Sequence, residues 1–261
     1  MPLINYIGNR QECLDNKRGG RGNAPAPIFL DYLLVGGGQY GATNAGGGGG
    51  VVSGSIRFLP RFTLDVIVGN GGTGSIAKNA EPSIIQSAPN EFFVYAGPGI
   101  DFAVSGEPQS NPGGQPQDSI YSFGGAGGSS QIGQDAYDSG AHGGDGGSGS
   151  FWNLDDTGSL LYGGGGGGAG RYFIPTQGVG GTGGQGGGGA GASKTGPGTS
   201  GVNGFGGGGG GGFAACNGGS GIVKMRYISG SVMGATGGTI SVSGSYVYHT
   251  FTSTGQFVYQ P

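Results

Sequence analysis

Seven consecutive glycines stand at Gly206–Gly212 and six at Gly163–Gly168. Two further runs, Gly124–Gly128 and Gly183–Gly191, are interrupted only by Ala126 and by Gln185 and Ala190. A glycine run has no side chain to bury, so the hydrophobic term is nearly absent from it. It also loses more backbone entropy on ordering than any other sequence. Only its amides can hold it in place, and buried amides have to be paired. One solution is the extended left-handed threefold helix, which makes no internal hydrogen bonds and turns its donors and acceptors sideways. Without Cβ atoms, such rods can approach one another on every side. Gly163–Gly168 would span about 19 Å at a rise of ~3.1 Å per residue. The runs therefore predict a bundle of parallel and antiparallel polyglycine rods, with the inserts between runs as turns at its ends. Flexible linkers are the alternative for such runs. In a packed bundle, a valine inside Gly206–Gly212 would push neighbouring rods apart.

Composition bears on that choice. Glycine supplies 72 of 261 residues and proline 13, against ~7 % glycine in ordinary chains. Disorder usually goes with high charge and few aromatics, whereas here charged residues and aromatics are each 10 % and the net charge is −3. Collagen is excluded because glycine keeps no strict every-third register. A large helical protein is excluded by the cost of about 1 kcal/mol for each glycine in a helix. No apolar run approaches the ~20 residues of a membrane span, and no signal peptide is visible at the N-terminus. The expectation is a product made and kept in a cytoplasm, or released by lysis, with neither membrane insertion nor a nucleic-acid partner. Cys13 and Cys216 cannot make a disulfide framework.

Charge is uneven along the chain. Arg10, Lys17, Arg18 and Arg21 crowd the first 21 positions, while no lysine or arginine lies between Lys78 and Arg171. That interval holds ten acids, from Glu81 to Asp156. Solvated surface is the plain reading.

Three segments follow. Residues 1–28 are polar and end at Pro25 and Pro27, which favour an extended connection. Residues 29–228 form a glycine-rich β and polyglycine module. Within it, Phe29–Val35, Ser53–Phe58, Phe62–Gly69 and Ile222–Ile228 read as strands. Leu59-Pro60-Arg61 reads as a turn, and Glu91–Gly97 with Gly99–Gly106 as a hairpin around Gly97-Pro98-Gly99. Residues 229–261 form a C-terminal strand segment: TISVSG and YVYHTFTSTGQFVY alternate, with a turn at Ser253–Gly255. The fold class is mainly β: antiparallel strands combined with polyglycine II-type helices and little or no α-helix.

Three elements carry a resemblance. Leu33–Gly38 runs from a strand into a glycine cluster. Thr63–Gly72 reads T-x-x-V-x-V-G-x-G-G. Gly219–Tyr227 reads G-x-G-I-V-x-x-R-Y. Together they resemble the glycine-rich module of bacteriophage tail-fibre, adhesin and other virion structural proteins. The YVYHTFTSTGQFVY tail resembles a β-rich segment that often precedes such modules; here it follows one. The resemblance covers roughly residues 29–261 and implies a virion location. It also implies host attachment through outward loops, to a cell-surface glycan or an outer-membrane protein. Residues 1–28 lie outside the resemblance; their basic charge and their Pro25 and Pro27 connector mark them as the expected attachment segment to other virion proteins. A homo-oligomer, with a trimer as the fibre precedent, is implied too. A capsid decoration or head-fibre protein with a purely structural role is the alternative.

Signals for catalysis are weak. Gly36-x-Gly38-x-x-Gly41 and Gly69-x-Gly71-x-x-Gly74 match a dinucleotide fingerprint, but neither is followed by a helical pattern. Lys194-Thr195 follows Ser193 where a phosphate loop requires glycine. His142 lies near Asp138 and Asp145, and Asp145 with Asp155-Asp156 could offer oxygens to calcium. Two histidines and two scattered cysteines make no zinc pattern, and no calcium-binding repeat is kept. No serine sits in a nucleophile motif. We therefore expect no enzyme, no cofactor and no bound metal.

Recognition is expected in the inserts, because glycine rods offer no side chains. Phe151, Trp152, Asn153, Asp155, Asp156, Tyr172 and Phe173 are the candidate receptor-binding residues, with Trp152 the best single platform. Aromatic rings suit sugar faces, while nearby amides and carboxylates suit hydroxyls. The other reading of these rings is that they cap the glycine bundle as its largest apolar burial.

Overall fold

The computed structural model describes residues 27–42, 44–58, 61–74, 79–87, 92–99, 111–115, 123–137, 142–153, 160–170, 178–193, 196–212, 214–230 and 234–259. Among them there are twelve strands and no helix: β1 (Ile28–Val35), β2 (Val51–Phe58), β3 (Phe62–Ile67), β4 (Ser83–Ser87), β5 (Phe93–Ala96), β6 (Ser150–Trp152), β7 (Leu160–Tyr162), β8 (Ile222–Ile228), β9 (Ala235–Thr236), β10 (Thr239–Ser243), β11 (Tyr246–Phe251) and β12 (Gly255–Tyr259). Every pairing between them is antiparallel. The mainly-β class read from the sequence is therefore the observed one.

Two five-stranded sheets hold the apolar residues. Their orders are β10-β11-β8-β1-β2 and β5-β4-β3-β12-β9. Alternation places Leu30 and Leu34 of β1, Val223 and Met225 of β8, and Phe251 of β11 on one inner face. Leu64 and Val66 of β3, Ile85 of β4, and Phe257 and Tyr259 of β12 meet them from the other sheet, and all of these are buried in a single cluster. Strands β11 and β12 pair with β8 and β3, so the C-terminal strands complete both sheets. In this core His249 is fully buried. Its Nδ1 donates to the Gly237 carbonyl at 2.7 Å, and its Nε2 faces the Tyr227 hydroxyl at 3.1 Å.

The second hairpin differs from the sequence expectation. β5 pairs with β4, a strand not foreseen, because SIIQS is short and lies between Pro82 and Pro89. Gly97-Pro98-Gly99 is not a hairpin turn: the Gly97 carbonyl accepts from Gly50 N–H, and Gly99 N–H donates to Gly37 O. Residues 100–106 lie outside the described residues.

The glycine runs lie between strands, where their amides pair side by side. Take Gly163–Gly170 as one rod. Its N–H groups at Gly164, Gly167 and Gly170 donate to Gly186, Gly189 and Ala192, and those at Gly165 and Gly168 donate to Gly147 and Gly144. Gly166 N–H donates to Gly46. The carbonyls of Gly163, Gly166 and Ala169 accept from Ser129, Ala126 and Phe123. Those of Gly164 and Gly167 accept from Gly208 and Gly211, and those of Gly165 and Gly168 from Gly184 and Gly181. Partners recur every third residue, and six segments surround the rod. Gly206–Gly212 repeats the arrangement with segments around Gln39–Ala42, Gly46–Gly49, Gly164–Gly167, Gly189–Ala192, Thr199 and Gly219. No glycine of Gly164–Gly168 or Gly207–Gly212 has positive φ. The contacts leave no space for a side chain: a Cβ on Gly166 would lie 2.1 Å from Gly209 O, and one on Gly208 would lie 1.8 Å from Gly46 O. The runs are thus ordered and held by backbone pairing, as amide accounting demands.

Candidate binding surface

At one end the chain passes from rods into the sheets, through Val35 to Gly36, Gly50 to Val51 and Gly221 to Ile222. A second apolar cluster lies there, made of Leu33, Val35, Trp152, Tyr162 and Ile222, with Phe205 packed against it. Tyr162 and Phe205 stack at 5.3 Å between ring centroids. The short β6–β7 ribbon pairs Trp152 with Leu160 and Ser150 with Tyr162. Its alternation turns Trp152 inward and Phe151 outward. Trp152 is only 3 % exposed, whereas Phe151 is 62 % exposed. The expected Trp152 platform is therefore corrected: the ring caps the glycine rods and cannot stack on an external sugar. Asn153 is exposed beside it. Asp155, Asp156, Tyr172 and Phe173 lie outside the described residues, as do Asp138, Lys194 and Thr195.

Side chains on the rods themselves form a second surface that sequence reasoning missed. In the segment from Val179 to Gln185, glycines fill every position except Val179, Thr182 and Gln185, and those three are exposed. Next to it lie His142, Asp145 and Ser148, again three apart with glycines between, and all half-buried. Gly143, Gly146 and Gly149 donate to the carbonyls of Val179, Thr182 and Gln185. On the other side, Gln131, Gln134 and Tyr137 are exposed and donate their N–H groups to Ser148, Asp145 and His142. Three parallel files of three side chains thus cover one flank, the middle file half-buried between two exposed ones. The intervening glycines must face inward: a Cβ at Gly181 would meet Gly144 O at 2.0 Å, and one at Gly184 would meet Gly147 O at 2.0 Å. The x-G-G pattern in H-G-G-D-G-G-S and V-G-G-T-G-G-Q is the signal that could have found this surface.

The chemistry of the files is neutral to acidic. Tyr137, 51 % exposed, stacks on the His142 imidazole with ring centroids 4.7 Å apart and planes 3° apart. Asp145 Oδ1 accepts from Thr182 N–H at 2.6 Å, and Asp135 Oδ1 accepts from Gln115 N–H at 2.6 Å. These acids therefore finish the pairing of outer rods. No cluster of three or more metal-ligating side chains occurs among the described residues. The dinucleotide-like glycines also belong to rods: Gly36, Gly37 and Gly38 donate to Gly50, Glu81 and Gly219, and Gly72 donates to Gly38.

A profile described as a glycine-rich domain matches residues 21–228, about four fifths of the chain. The chain belongs to this glycine-rich domain family. No curated protein and no solved structure gives a match. The family match ends at Ile228, the last residue of β8. In this glycine-rich domain, then, both sheets are completed by strands that follow the matched region.

Proposed function

We propose that this glycine-rich domain is a non-enzymatic display body of a bacteriophage virion protein, of tail-fibre or adhesin type. In this reading its flank binds an extended neutral glycan on the host surface. The rods are taken as polyglycine II-type helices. At their ~3.1 Å rise, successive side chains in a file stand about 9 Å apart. The observation that carries the reading is the three-by-three array on a support whose interior is pinned by paired amides. Binding on a rigid scaffold loses little ordering entropy. The chemistry suits sugar: Tyr137 offers a ring face, while Gln131, Gln134, Thr182 and Gln185 offer amides and a hydroxyl. Residues 79–170 contain no lysine or arginine, so an anionic polymer is disfavoured. Phe151 and Asn153 form a second exposed contact near the sheets. Residues 1–28 serve as the attachment segment to other virion proteins.

Adsorption of purified protein to host cells, measured beside thermal melting, tests the proposal. Tyr137→Ala combined with Gln134→Ala is expected to lower adsorption at unchanged melting. Unchanged adsorption would leave the purely structural capsid-decoration role as the better account.

A further inference from the structure

We infer that β10 is a self-pairing edge, and that two copies of this chain join through it about a two-fold axis into one continuous sheet. Among the described residues β10 is the terminal strand of its sheet. Exposed edges are usually guarded by charge, proline or a bulge. This one has none of these: residues 227–261 contain no aspartate, glutamate, lysine or arginine, and Thr-Ile-Ser-Val-Ser is unbroken. Ile240 and Val242 lie on the face that carries the core residues His249 and Val247, yet they are 49 % and 66 % exposed. The core face therefore runs out to an apolar margin that the opposing sheet does not cover.

The register fits a second copy. Gly244-Ser245 closes a two-residue hairpin between Ser243 and Tyr246, with Gly244 at φ 58°. In such a hairpin the residues flanking the turn form a hydrogen-bonded pair, and bonded and non-bonded pairs alternate from there. Ser243, Ser241 and Thr239 thus spend their amides on β11, while the N–H and C=O of Ile240 and Val242 face away from it. The strand is also close to a palindrome about Ser241. Antiparallel pairing centred there sets Ile240 against the second copy's Val242, and Val242 against its Ile240. Those are the outward-facing residues, so each pair can exchange two backbone bonds. The same axis stacks four β-branched side chains on the core face and sets Thr239 against Ser243 on the other. Such an interface is isologous and closes at two copies.

The register makes the test specific. Ser241 faces its own copy in a non-bonded pair, where Cα atoms lie ~4.5 Å apart, within disulfide range. Ser241→Cys is expected to give a disulfide dimer on a non-reducing gel under mild oxidation. Thr239→Cys and Ser243→Cys, which face each other rather than themselves, are expected to give far less and also control for the native thiols. Sedimentation of the wild type at micromolar concentration is expected to show a dimer, and Val242→Lys a monomer with unchanged melting. A monomeric or trimeric wild type would overturn the inference. So would a dimer that survives Val242→Lys, or one in which Ser241→Cys crosslinks no better than the two controls.

Discussion

Replacing Gly208 by alanine tests the claim that amide pairing, with no side chains between, holds the glycine body. Gly208 N–H donates to Gly164 O, and its carbonyl accepts from Gly189 N–H, both at 2.9 Å. An added Cβ would stand 1.8 Å from Gly46 O, 2.6 Å from Gly46 C and 2.9 Å from Gly47 C. All three atoms are backbone, so no side chain can swing aside. The Gly46 carbonyl would have to retreat by more than 1 Å to reach the 3.0 Å that real Cβ contacts respect. That carbonyl receives Gly166 N–H at 2.9 Å, and Gly46 N–H donates to Gly209 O at 2.8 Å. Both bonds would stretch beyond use in a site that excludes water. Each lost bond costs at least the ~1–3 kcal/mol of one buried polar group left unpaired, so the two together cost at least about 2–6 kcal/mol. The stiffening of the unfolded chain by alanine returns only ~0.4–1 kcal/mol. For a domain of this size, ~2–4 °C per kcal/mol converts the net loss into a fall in melting temperature of roughly 2–20 °C. Gly196 is the matched control: a Cβ there meets nothing within 4 Å, and Gly196→Ala is expected to melt like the wild type. Differential scanning calorimetry of the two variants decides the matter. If Gly208→Ala melts within about 2 °C of Gly196→Ala, the net loss is under ~1 kcal/mol and close amide packing is not what stabilises the body.

Two further predictions concern buried side chains. Trp152→Ala is expected to destabilise the fold by ~3–5 kcal/mol, as for a truncated core aromatic; a full-height thermal transition at the wild-type temperature would contradict its capping role. His249 titrates with a depressed pKa, because burial disfavours the imidazolium; the Gly237 carbonyl bond opposes this more weakly. The unfolded chain then takes up a proton near pH ~6.5 that the folded chain refuses. Stability is expected to be full above that pH and to fall as pH drops below it toward the folded value. Urea midpoints measured from pH 7.5 down to 5.5 check this, and a His249→Gln variant should show a flatter profile.

Much of the β architecture was legible because alternation is a local signal. Phe62–Gly69 and Gly255–Tyr259 show one apolar side facing one core, whereas Phe29–Val35 and Ile222–Ile228 face two, with Leu33, Val35 and Ile222 turned to the second cluster. β4 was not legible, since Ile84 and Ile85 sit together in five residues between prolines and make no alternating stretch. Gly97-Pro98-Gly99 read as a turn because glycine and proline usually break strands, yet here they continue into paired backbone. The candidate site was legible only in part. The two readings of Phe151 and Trp152, exposed platform or bundle cap, could not be told apart from the sequence, because the outward turn of Phe151 and the inward turn of Trp152 depend on pairing with β7. The flank was written in the x-G-G spacing of His142–Ser148 and Val179–Gln185, a period that matters only once rods lie side by side.

That the glycine runs must pair through their amides follows from composition, because they carry nothing else to pair with. The apolar residues must likewise collect in strands, because only those segments carry an apolar face. Which rods become neighbours was decided by tertiary structure alone. One glycine is chemically the same as the next, so no local code tells Gly164 to seek Gly186 and Gly208. The choice falls to the points where the runs are anchored. The sheets hold the rods at Val35, Val51 and Ile222, and Ser83, buried, accepts from Gly69 N–H while donating to Val35 O. Asp145 sets one outer rod against the next through Thr182. Once these anchors set direction and register, hydrogen bonds every third residue fill in the rest.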